Sequence, residues 1–135
     1  MKVLLMWILV FTSSFTQAAQ CSLGSFSESK MHLGNYYRSQ TATSFNVNCD
    51  RAYMIQFSSM NLKSSDGASS VSNGQYKLNT RMSISGASQN LWNIPLTHDA
   101  GHDSKYVIAV QLDDSPMRGV PAGLYRDMIY IKLMF

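Results

Sequence analysis

Apolar and polar residues alternate with a period of two along much of this chain, and that rhythm constrains its fold more than any other feature. Successive side chains of a strand point to opposite faces, so alternate residues share a face, whereas a helix needs spacings of three and four. Thr41, Thr43, Phe45, Val47 and Cys49 form one such row, and Tyr53, Ile55 and Phe57 form another after a short link at Asp50 and Arg51. Tyr76, Leu78, Met82 and Ile84 share a parity within 75–85, and Tyr106, Ile108, Val110 and Leu112 make a further row. From Tyr125 the pattern returns, with Tyr125, Asp127, Ile129, Ile131, Leu133 and Phe135 on one face and Met128, Tyr130, Lys132 and Met134 on the other. This last strand is apolar on both sides.

Turn residues punctuate these rows. Asn61 to Gly67 reads as a loop closed by the turn pair Asp66-Gly67. Asn73-Gly74 is the sharpest hairpin signal, because both residues accept the positive φ of a type I′ turn. Gly86-Ala87-Ser88 ends the next strand, and Pro95 demotes Leu91–Leu96, with its Trp92, to an edge strand or an irregular crossing. Pro116, Gly119 and Pro121 mark the turn before the last strand. Some seven short strands and no helix longer than a turn predict an all-β fold, a sandwich of two antiparallel sheets. At 135 residues the chain has room for one domain.

The first residues stand apart. Met1 and Lys2 give a positive start, the nine residues Val3 to Phe11 are apolar, and Thr12 to Ala19 turn small and polar. That is the build of a secretory signal peptide over 1–19, with cleavage sites after Ala18 and after Ala19. The apolar run is about half the roughly 20 residues that cross a bilayer, so no membrane span is expected in the mature chain, 20–135. A lipid-modified Cys21 is disfavoured by Gln20 and Ala18 ahead of it. Export leads to an oxidising compartment, where Cys21 and Cys49 are expected to close a disulfide, with the loop-entropy model giving about 3–4 kcal/mol.

Composition narrows the function. Of the 11 basic residues one, Lys2, lies in the leader, leaving 10 against 8 acidic ones, scattered and too balanced for a nucleic-acid footprint. His98, Asp99, His102 and Asp103 form the one cluster with metal-ligating groups. Gly101 and the two Asp residues suit a polar turn, and the glutamate of the helical H-E-x-x-H motif is missing, so His98 and His102 are read as loop residues and no cofactor is expected. No G-x-S-x-G is present, the cysteines are taken by the disulfide, and Asp113-Asp114 reads as a turn start, so no enzyme is predicted. Trp92 and the tyrosines are read as core.

The segment from Pro121 to Phe135 resembles the close of the spore coat protein U domain family, which includes subunits of archaic, Csu-type chaperone-usher pili. The family ending reads P-x-G-x-Y-x-D, then an alternating apolar strand and a final aromatic residue, matched here by Pro121, Gly123, Tyr125, Asp127 and Phe135. The early cysteine pair and Tyr76-Lys77-Leu78 resemble the family in outline.

The resemblance implies an incomplete immunoglobulin-like sandwich whose missing strand comes first from a periplasmic chaperone and then from a neighbouring pilus subunit, after passage through an outer-membrane usher. Gly123, Tyr125, Asp127, Ile129, Ile131, Leu133 and Phe135 are then the residues expected to meet that strand, by main-chain bonding and apolar pockets. It further implies export through the periplasm to the cell surface and a role in adhesion or biofilm formation. Family subunits carry a donor strand ahead of the first cysteine, and the few residues before Cys21 lead to the expectation of a tip or minor position. The alternative is a self-contained secreted sandwich, a coat or ligand-binding protein that does not polymerise.

Overall fold

A computed structural model describes residues 20–116 and 120–135; the expected signal peptide, 1–19, lies outside the described residues, as does Gly119 of the expected turn. Eight strands are present among them: β1 (Cys21–Leu23), β2 (Gln40–Cys49), β3 (Tyr53–Ser59), β4 (Ala68–Asn73), β5 (Tyr76–Ser85), β6 (Leu96–His98), β7 (Gly101–Leu112) and β8 (Ile129–Met134). They form a five-stranded sheet in the order β1-β2-β7-β5-β4 and a three-stranded sheet in the order β6-β3-β8. All pairings are antiparallel. The chain is therefore the expected antiparallel β-sandwich.

The core is built from the alternating rows. Phe45, Val47 and Cys49 of β2, Met82 and Ile84 of β5, and Tyr106, Ile108 and Val110 of β7 face Tyr53, Ile55 and Phe57 of β3 and Leu96 of β6. Aromatic rings bind the two layers, with Phe57 of β3 lying 6.3 Å from Phe45 and 6.0 Å from Tyr106 of the facing sheet. Such pairs add about 0.5–1.5 kcal/mol beyond their burial. Trp92 is fully buried on an irregular stretch between β5 and β6, as Pro95 requires.

Cys21 and Cys49 are joined. They are register partners in the β1–β2 ladder, with Cα atoms 4.1 Å apart. Asp50 N–H donates to Gln20 C=O and Gly24 N–H to Asn46 C=O, so the cysteines occupy the intervening non-hydrogen-bonded position. There antiparallel strands bring side chains closest.

Three sequence expectations need correction. The β4–β5 turn has Gly74 and Gln75 at its centre, with Asn73 paired to Tyr76 in the ladder. Only Gly74 has positive φ (61°), the pattern of type II′ rather than I′, because a single glycine at the first central position meets that need. The stretch read as a loop from His98 to Asp103 contains just Asp99 and Ala100 between strands, since β7 begins at Gly101 and pairs Gly101 with Cys49. The last strand starts at Ile129 rather than Tyr125, because residues before it are drawn to β4.

Candidate functional site

The three-stranded sheet ends at β8, whose sole strand partner among the described residues is β3. Met60 N–H donates to Met128 C=O at 2.8 Å, which sets the phase of the ladder. Antiparallel pairs alternate between bonded and non-bonded residues, so Tyr130, Lys132 and Met134 face β3 with their main chain. The N–H and C=O groups of Ile129, Ile131 and Leu133 project from the free edge. Their side chains point inward, partly buried against the core. One set of residues thus offers unpaired main-chain groups and an incompletely covered apolar row.

The other edges are different. β1 and β6 are three-residue strands, too short to template much pairing. At β4, Ser72 and Arg126 exchange two main-chain hydrogen bonds of 2.9 Å. The outer face of the β3–β8 pair is unusually apolar, with Met54, Met60, Met128 and Tyr130 all exposed. Register sets Met54 across from Met134, Gln56 from Lys132 and Ser58 from Tyr130.

The residues carried by the P-x-G-x-Y-x-D match lie beside this edge and are engaged within the chain. Tyr125 Oη donates to Pro121 C=O at 2.8 Å, closing a local loop as tyrosine corners do. Asp127 Oδ1 accepts from Asn61 N–H (3.0 Å) and Met128 N–H (2.8 Å), while Oδ2 accepts from Ser69 Oγ–H (2.9 Å). Asn61 in turn donates through Nδ2 to Ser70 C=O, Ser72 Oγ and Arg126 C=O. Gly123 lies so close to Asn73 that a Cβ there would meet the Asn73 amide. Asp127 thus fastens the entry to β8 onto β4 and the loop after β3, Gly123 lies against the end of β4, and Tyr125 closes the loop between them. Asn61 was missed as a member of this group, because in sequence it is one more turn-forming residue.

Phe135 follows β8 and is exposed. With Met134, Tyr53, Met54, Thr97 and His98 it lines an open cleft of about 750 Å³ at one end of the sandwich. His98 is half-buried and stacks on Tyr53 at 5.2 Å, while His102 is exposed near the start of β7. Among the described residues no three His, Cys, Asp or Glu side chains gather as a metal site needs. Beneath the cleft, the Tyr53 and Tyr106 hydroxyls share a buried hydrogen bond of 2.6 Å. Burial, and then this bond, pushes the Tyr106 phenol far above the ordinary tyrosine range. No helix among the described residues is long and apolar enough to cross a membrane.

Fold and edge together define the class: an antiparallel β-sandwich in which, among the described residues, one sheet is left open along its last strand. No protein-family model matches the chain, and no curated protein sequence matches it. Among solved structures it is similar to one chain of the CsuC-CsuE chaperone-tip adhesion subunit pre-assembly complex from archaic chaperone-usher Csu pili of Acinetobacter baumannii. The TM-score is 0.56 over 87% of this chain, at 13% identity, and the match spans 40% of that chain's length. At that identity the likeness concerns the fold.

Proposed function

We propose that this chain is an exported surface subunit of a chaperone-usher pilus, completed by a strand that a partner lays along β8, and that it serves adhesion or biofilm formation. The observation that carries this reading is the free edge of the six-residue β8, where Ile129, Ile131 and Leu133 offer unpaired main-chain groups and a half-covered apolar row. A long apolar edge left open invites aggregation unless something covers it. The periplasmic chaperone would cover it first and a neighbouring subunit afterwards, with the usher between these steps. The 1–19 leader would direct export and be removed. The Csu-complex likeness and the C-terminal motif support the same reading.

The test appends to Phe135 a short linker and an alternating apolar segment, so that the added strand returns antiparallel along β8. Intramolecular complementation raises the effective concentration of the strand to the millimolar range. The expected result is a soluble monomer with a raised unfolding midpoint, against an aggregating or less stable parent. A parent that is monomeric and as stable as the extended form overturns the proposal in favour of a self-contained sandwich.

A further inference from the structure

Lys132 is the one charged side chain on β8. It is exposed, lies on the outer face across from the uncharged Gln56, and has no ion pair among the described residues. Tyr130 and Met134 flank it on that face. Because even-numbered residues of β8 bond to β3, Lys132 occupies a non-hydrogen-bonded position towards the free edge. In an antiparallel pair that position brings facing side chains closest, with Cα atoms about 4.5 Å apart.

We propose that the segment completing this sheet belongs to a different chain and carries an aspartate or glutamate opposite Lys132, with apolar residues on both sides of it. This rests on the strand-acceptor reading and gives the partner a chemical signature. The residues next to the acid in the segment face inward against Ile131 and Leu133 and are apolar. Those two positions away face Tyr130 and Met134 and are apolar or aromatic. The signature is therefore a five-residue apolar run with a single acid at its centre. The stretch Met1 to Gln20 contains no acidic residue and so lacks this signature. Opposite charges on facing strand positions stabilise the pair and like charges destabilise it, so this position discriminates between donor segments.

The experiment uses the full exported chain extended at Phe135 by a linker and one of three segments that differ only at the central outward residue: Glu, Gln or Lys. Each is made with Lys132 and with Lys132→Glu, and Lys132→Gln serves as the uncharged control. The unfolding equilibrium is measured at low and high salt. With Lys132 the Glu segment is expected to surpass the Lys segment by about fivefold in the folding equilibrium constant, the equivalent of about 1 kcal/mol. With Lys132→Glu the order reverses, and in molar salt both differences shrink. If all three segments stabilise equally on both backgrounds, the acid signature is overturned while the acceptor reading stands. If no segment stabilises the chain, the acceptor reading falls and this inference with it.

Discussion

Replacing Asp127 separates a fastening role from a partner-binding one. Its carboxylate takes three hydrogen bonds, from two main-chain N–H groups and the Ser69 hydroxyl, and so ties β8 to β4 and to the loop after β3. Bonds to a charged acceptor contribute about 1.5–3 kcal/mol each when desolvated. Here the sum is reduced: Met128 is exposed and its N–H turns to water, and Ser69 keeps its 3.0 Å bond to Ser59. The loss that remains is dominated by Asn61 N–H and by release of the β8 entry, which sets Asp127→Ala at about 2–3 kcal/mol. In Asp127→Asn the amide oxygen retains both N–H donors and the new NH2 donates to Ser69, whose hydroxyl turns to Ser59, for a cost of about 1 kcal/mol. Urea unfolding of the chain, followed by fluorescence of the buried Trp92, reads both values. An Ala variant within about 0.5 kcal/mol of the parent that nonetheless loses capture of a donor segment refutes the fastening role.

The Tyr53–Tyr106 hydroxyl pair should behave as a unit: Tyr53→Phe or Tyr106→Phe alone costs about 1–3 kcal/mol by stranding the other hydroxyl, whereas the double variant costs much less than the sum. Additive costs in the urea cycle would contradict this. Because the Tyr106 phenol is raised, folding favours its protonated form, so this contribution is whole below about pH 10 and falls as pH rises further, by up to about 1.4 kcal/mol per unit. Alkaline titration at 295 nm should find Tyr106 ionising only as the chain unfolds. Cys21→Ser with Cys49→Ser should lower stability by about 3–4 kcal/mol, read as a urea midpoint shift that reductant reproduces in the parent. Gly67→Ala should cost about 1–3 kcal/mol or more, since φ there is 96° and a Cβ would run into the Met82 carbonyl; an unchanged unfolding midpoint would refute it.

The rows around Phe45, Ile55, Met82 and Ile108 announce both their strand state and their inward face, because side-chain direction in a strand depends on residue parity alone. The two cysteines and the places of the turns at Gly67 and Gly74, though not the type of the second, were legible from residue chemistry. What the sequence could not decide is which strands sit at the edges. β7 and β8 carry similar apolar alternation, yet β7 is central, paired with β2 and β5, while β8 has β3 alone among the described residues. Nor could it separate Asp127, held by Asn61 and Ser69 from distant segments, from a residue awaiting a partner. Composition and periodicity set the faces of each strand locally. Neighbours, edges and the hydrogen bonds that occupy a side chain arise from contacts between segments far apart in the chain, and those exist only once the two sheets are assembled.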